Sequence, residues 1–290
     1  MNHRSHATRV LTLRRLQETL LSPGFYVAQV VGLFAGVYLI TRFAASVDSS
    51  GFNFALDPVY DLIGRSLQGT FGQAFAAKLF SEGPFLFVLY MSFLPVLVYL
   101  ALSSVFRFGL EKKAGAVELI TYGPADGTAC LLSYFVKDFL LTLTHLAVLI
   151  VFFAVAAALN NLVLGPLFFY SLGLLFFIAL AVYAYGMLTT VLAPGNPASA
   201  LAVFIGLLVF FLILMLGSFT VVSGYVRSLA ATLAWIVQWF SPAYYWSLGF
   251  RAMETGNLPF FLLTVLLLSI LTAAILTASH LIIKTRGVKA

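Results

Sequence analysis

Six apolar stretches constrain this chain more than anything else in it: Phe25–Ala45, Pro84–Phe106, Phe139–Leu159, Pro166–Leu192, Ala200–Val222 and Pro259–Ile283. A helix rising about 1.5 Å per residue needs about 20 such residues to cross about 30 Å of hydrocarbon. Barrel strands would be shorter and would alternate in polarity, so these runs predict helices. Over its 290 residues the chain is 62% hydrophobic and 9% charged, against about 25% charged in a soluble domain. The expected fold class is an all-α integral membrane protein with six transmembrane helices, organised as one transmembrane domain over residues 1–290.

The net charge of +6 could suggest nucleic acid, but its distribution does not. Eleven of the 16 Lys and Arg fall in three places: Arg4, Arg9, Arg14 and Arg15 before the first run, Arg107, Lys112, Lys113 and Lys137 around the second and third, and Lys284, Arg286 and Lys289 at the end. That is the signature of the positive-inside rule. It predicts a multi-pass protein of the plasma or inner membrane with both termini cytoplasmic. The lone Cys130 permits no internal disulfide. A signal peptide fits the first run poorly, because about 24 residues precede it and it is longer than a usual signal core.

Residues 1–24 carry Val10, Leu13, Leu16 and Leu20 at helical spacing, with Arg9, Arg14 and Arg15 off that stripe. The pattern predicts a helix in the inner interface, its cations turned to headgroups or an acidic partner. Gly32 and Gly36 form a GxxxG pair that lets another helix approach, first within the chain and second in a dimer. Asp57 and Pro58 read as a cap and first helical residue, followed by Ile63, Leu67, Phe71, Phe75 and Leu79 on one stripe of an outer surface helix. Asn160 and Asn161 make a short turn, and Asn196 caps a helix starting at Pro197. Segment 223–258 is too apolar for a free loop, is broken at Ser241 and Pro242, and crowds Tyr244, Tyr245, Trp246 and Phe250. It predicts an outer re-entrant helical hairpin, with two helices lying flat on the outer surface as the competing reading.

Residue patterns for enzyme chemistry are missing. The four His make no HExxH, no GxSxG elbow occurs, and no Lys follows a Gly, which excludes a Walker A phosphate loop. No catalytic, cofactor-binding or metal-ligating residues are therefore expected in this chain. Asp138 and His145 stand seven residues apart, so one helix face carries both. An ionisable pair inside a span raises the prospect of a proton relay, set against a buried His that hydrogen-bonds a neighbouring helix.

The most charged interval, 107–138, separates the second run from the third. Glu111 and Glu118 would share one side of a helix continuing from the second run, with Gly115 allowing close approach between them. Pro124 would end that helix, and Asp126 would cap a new short one through about Tyr134.

Leu110 to Gly127, LEKKAGAVELITYGPADG, resembles the inner loop of type-2 ATP-binding-cassette exporter permeases, particularly their gliding-motility branch. Leu16 to Phe34 and Trp239 to Leu258 are similar to that branch's approach to its first span and its segment between the fifth and sixth. Gly123 departs from the Ser usual before the Pro, and Ser133 and Tyr134 replace a usual Gly-Lys. The resemblance implies that Asp126–Tyr134 is a coupling helix docking on a separate ATPase subunit, which supplies ATP and Mg, and that two permease subunits pair in the lipid bilayer. It also implies that Glu111 and Glu118 brace the loop or meet the ATPase, and that Asp126 holds the coupling helix in shape. Two other classes stand beside it: an ion-coupled carrier working alone, and a membrane anchor subunit of another complex.

Overall fold

The computed structural model describes residues 3–48, 51–71, 73–116, 127–193, 196–217 and 235–286. Its helices are α1 His3–Leu20, α2 Pro23–Ala45, α3 Pro58–Phe71, α4 Gln73–Leu79, α5 Phe85–Lys113, α6 Gly127–Asn160, α7 Pro166–Leu192, α8 Pro197–Gly217, α9 Pro242–Glu254 and α10 Leu258–Arg286. A two-stranded ladder, β1 Val47–Asp48 with β2 Gly51–Phe52, joins α2 to α3. Among the described residues, six helices (α2, α5, α6, α7, α8 and α10) are long and apolar enough to cross a membrane. The chain is a helical multi-pass membrane protein.

Local chemistry sets the helix boundaries. Pro23, Pro58, Pro166, Pro197 and Pro242 each open a helix, where a missing N–H costs nothing and φ is already helical. The Asp57 carboxylate accepts from the Val59 and Tyr60 amides at 2.9 and 3.3 Å, and the Asn196 side chain accepts from Ala198 at 3.0 Å. Both caps fall where the sequence places them. The α6–α7 turn begins with Asn161 at φ 53°, and Leu162 donates back to the Ala157 carbonyl at 3.0 Å. That is a Schellman end with Asn in the left-handed position.

The bundle is built around α5 and α7. Every residue of 178–187 is buried, so α7 is enclosed on all sides by α5, α6, α8, α9 and α10. Ala179, Ala181, Ala184 and Gly186 give it a thin middle that neighbours can approach, the usual source of van der Waals gain between helices in lipid. On α5, Ser92 receives α2: a Cβ on Gly32 would stand 2.3 Å from the Ser92 carbonyl oxygen, and one on Gly36 would stand 2.7 Å from its hydroxyl. The GxxxG pair thus lies against a helix of the same chain.

At the end of the bundle where α2 meets α3, Phe52 stacks between Phe43 and Phe80, with ring centroids 5.0 Å away in each case, and Tyr60 meets all three edge-on. The Tyr60 hydroxyl donates to the Leu39 carbonyl at 2.9 Å. Ile63 and Leu67 pack on the core and Leu79 is buried. The expected amphipathic helix is therefore two shorter helices seated on the ends of the bundle; the side chains of Phe71 and Phe75 lie outside the described residues.

Of the segment 223–258, the first arm falls mostly outside the described residues. The second arm is α9, packed on α10, α7 and α8. The Tyr185 hydroxyl donates to the Phe240 carbonyl and the Tyr245 hydroxyl to that of Trp239 at 3.0 Å, fixing the approach to α9 from the bundle side. Gly256, at φ 64°, ends α9, and Asn257 caps α10 by accepting from the Phe260 amide at 3.1 Å.

Candidate functional site

The polar groups of the bundle gather at one end, where α1, α5, α6 and the α7–α8 turn meet. Arg15 is the centre of that cluster. Only 4% of its surface is exposed. Its guanidinium lies 2.5 Å from Glu111 on α5. From α6 the Cys130 carbonyl accepts at 2.7 Å and the Ser133 hydroxyl also accepts, and the group sits 3.7 Å from the centroid of the Tyr134 ring. A planar fork of five donors suits such a position, because it can satisfy several acceptors at once while stacking on a ring.

This corrects the expectation for Arg15, which faces the bundle rather than headgroups or an acidic partner, whereas Arg9 and Arg14 are exposed. Ala7, Thr12, Arg15 and Thr19 are the buried residues of α1, while Val10 and Leu13 are 51% and 47% exposed. The reason is that small and hydroxyl side chains let the helix lie close on α6. Of the apolar stripe, Val10 and Leu13 point away from the bundle, while Leu16 and Leu20 are partly buried against the core.

Three neighbouring ties complete the cluster. The Lys112 ammonium donates to the Ala193 carbonyl at 2.7 Å, joining the end of α5 to the α7–α8 turn. A Cβ on Gly109 would lie 2.9 Å from Pro197, so α5 and α8 are in close contact there as well. Thr128 and His280 share a hydrogen bond of 2.8 Å, which brings in α10.

The structure departs from the expected loop in two respects. The helix expected to run through both Glu111 and Glu118 stops at Lys113, and Gly115, at φ 69°, follows as a left-handed terminator rather than a point of close approach. A Gly there bears no Cβ penalty, which makes it a natural helix stop. The short helix expected over Asp126–Tyr134 is not separate either: Gly127 begins a 34-residue helix that runs unbroken to Asn160. Within 127–134 only Leu132 is exposed and Thr128 partly so, the rest being buried. Those two turns consequently offer little surface to a docking partner. Glu118, Pro124 and Asp126 lie outside the described residues.

Deeper along α6, Asp138 pairs with its own neighbour Lys137 at 2.8 Å, and Lys137 also donates to Ser104 on α5 at 2.8 Å. Thr142 and Tyr183 are hydrogen-bonded at 2.8 Å one turn further in. His145 is stacked on Phe93, centroids 5.8 Å apart, and lies against the Ser92 backbone of α5. No hydrogen bond joins Asp138 to His145 among the described residues. No group of three or more metal-ligating side chains occurs among the described residues.

Sequence reasoning missed Arg15, Ser133, Tyr134, Lys137 and Ser104 as one unit. The one legible signal was the small and hydroxyl stripe Ala7, Thr12 and Thr19 running alongside Arg15. The same end of the fold is where interval 107–138 leaves α5 and returns to α6, so the cluster joins both stems of that loop to α1.

A helical multi-pass membrane protein, with six candidate spans among the described residues and a buried polar clasp at one end, is the class this architecture defines. No family model matches the chain, and no curated protein or solved structure is similar to it at a significant level.

Proposed function

We propose that this chain is the transmembrane permease subunit of an ATP-binding-cassette exporter, driven by ATP hydrolysis in a separate nucleotide-binding subunit that presses on interval 107–138. The observation that carries the reading is the Arg15 clasp. Glu111 sits where the loop departs and Cys130, Ser133 and Tyr134 where it returns, so one side chain holds both stems and α1 together. A push on the loop therefore moves α1, α5 and α6 as a unit. Contact with the ATPase falls on 114–126, because 127–134 is covered. The chain has no phosphate loop of its own, so it draws on ATP only through such contact.

The positive-inside pattern puts the clasp, the loop and both termini on the cytoplasmic side of the plasma or inner membrane. Two permease subunits pair to form the pathway. A recess of about 470 Å³ between α5, α7, α8 and α9, lined almost wholly by apolar side chains such as Met91, Leu94, Phe211 and Trp246, favours a cargo with a substantial apolar part.

The experiment is co-expression with a candidate ATPase subunit, followed by purification of the complex and comparison of ATP hydrolysis with transport. Arg15→Gln should leave hydrolysis in place and lower transport. Isolation of a stable chain that binds no ATPase and moves solute alone would overturn the proposal. That outcome would favour an ion-coupled carrier, the second reading, for which the buried Lys137–Asp138 pair and the buried His145 ring are the supporting observations.

A further inference from the structure

Beside the clasp lies a cavity of about 270 Å³ between α1, α5 and α6, and the charges on its wall do not cancel. Arg15, Arg107 and Lys137 line it together with Glu18 and Glu111. Both acids are already engaged: Glu111 by Arg15 and Glu18 by Arg14 at 2.9 Å. Lys137 is held by Asp138 and Ser104. That leaves Arg107, half-buried, with no hydrogen bond or ion pair among the described residues. Asp138 feels its charge but is already paired with Lys137.

Depth identifies what such a cation meets. Counting about 20 residues from the outer start of α5 at Phe85 ends the hydrocarbon near Ser104, and counting back from Asn160 on α6 ends it near Leu141. Arg107 and Lys137 both fall just past that limit, at the level of lipid phosphates. Leu110 lines the cavity, and Phe106, one residue nearer the hydrocarbon than Arg107, is exposed. The wall is cationic where a phosphate would lie, beside an apolar side chain at the depth where acyl chains begin.

We propose that this cavity binds the phosphoryl headgroup of an anionic phospholipid from the leaflet at the α1 end of the bundle, with Arg107 as the principal contact. A guanidinium pairs with phosphate oxygens through two parallel hydrogen bonds, and the depth of the site, at the edge of the hydrocarbon beside Phe106, favours a lipid over a free phosphate. The proposal does not depend on what the protein transports. A lipid seated there would rest against α1 and reinforce its docking on α6.

The test uses the full chain purified in detergent and native mass spectrometry to count retained lipid, with phosphatidylglycerol and phosphatidylcholine of matched chains as probes. The expected result is preferential retention of phosphatidylglycerol. Arg107→Gln should lower that retention about tenfold, the order expected for one charge-assisted contact, and Arg107→Lys should restore most of it. Arg65→Gln, at an exposed position on the outer α3, should change nothing, and the melting temperature of each variant checks that it is folded. Equal retention by the parent chain and Arg107→Gln would overturn the site. Displacement of phosphatidylglycerol by glycerol phosphate at similar concentration would overturn the lipid assignment, because a soluble anion would then suffice.

Discussion

Arg15 and Glu111, 96 positions apart in the chain, meet at 2.5 Å and lock α1 to the end of α5. The pair is buried on the Arg side and partly open on the Glu side. Removing the Arg strips a donor from the Cys130 carbonyl and the Ser133 hydroxyl as well as from Glu111. Arg15→Ala should therefore destabilise the docked state by about 3 kcal/mol or more, in the range for breaking a buried pair. Arg15→Lys should fall between, since an ammonium keeps the charge but not the fork. Proteolysis within α1, faster in Arg15→Ala than in the parent, is the measurement.

Lys137 and Asp138 behave as a unit. Lys137→Met leaves a carboxylate buried without its cation and should cost about 3–5 kcal/mol, whereas Lys137→Met combined with Asp138→Leu should recover most of that loss. Thermal melting of the three variants in one detergent checks it. A double variant as unstable as the single would mean that the pair is needed for more than its own neutrality.

Close packing makes two glycines sensitive for different reasons. Gly32→Ala puts a methyl 2.3 Å from a main-chain oxygen, which cannot rotate away, and should cost about 1–3 kcal/mol. Gly206→Ala on α8, with nothing within 4 Å, should be neutral. Gly165→Ala meets the Glu82 carboxylate at 1.9 Å, the same group that caps α7 by accepting from the Leu167 amide at 3.1 Å. Its effect should shrink in a Glu82→Ala background, and a double-mutant cycle of melting temperatures reads that coupling.

Tyr60 predicts a pH dependence at the start of α3. Burial, and then the Asp57 carboxylate, push its hydroxyl up from the ordinary 10.0. Its contribution to stability is complete below pH 10 and is lost as the pH climbs above that value, because unfolding then releases a proton that the folded state holds. Tyr60→Phe should flatten the alkaline limb of a stability–pH curve and, by losing the bond to Leu39, lower stability by about 1 kcal/mol at neutral pH.

Six apolar runs determined six spans because length and hydropathy are properties of a segment, independent of what it touches. The caps at Asp57 and Asn196 and the stop at Asn161 were legible for a related reason: each is decided within a few residues by the donors and acceptors of the backbone itself. Gly115 was visible as a glycine, yet its role reversed, since only the observed backbone distinguishes a helix end from a close approach.

Tertiary structure alone decided which face of α1 turns inward. Periodicity showed an apolar stripe with Arg9, Arg14 and Arg15 off it, but an apolar stripe does not define the buried side next to a membrane, where lipid accepts it as readily as protein does. The choice depended on acceptors that lie 96 to 119 positions away, at Glu111, Cys130, Ser133 and Tyr134. Long-range hydrogen bonds of that kind leave no local pattern, and the clasp they form could be seen only once the helices were placed side by side.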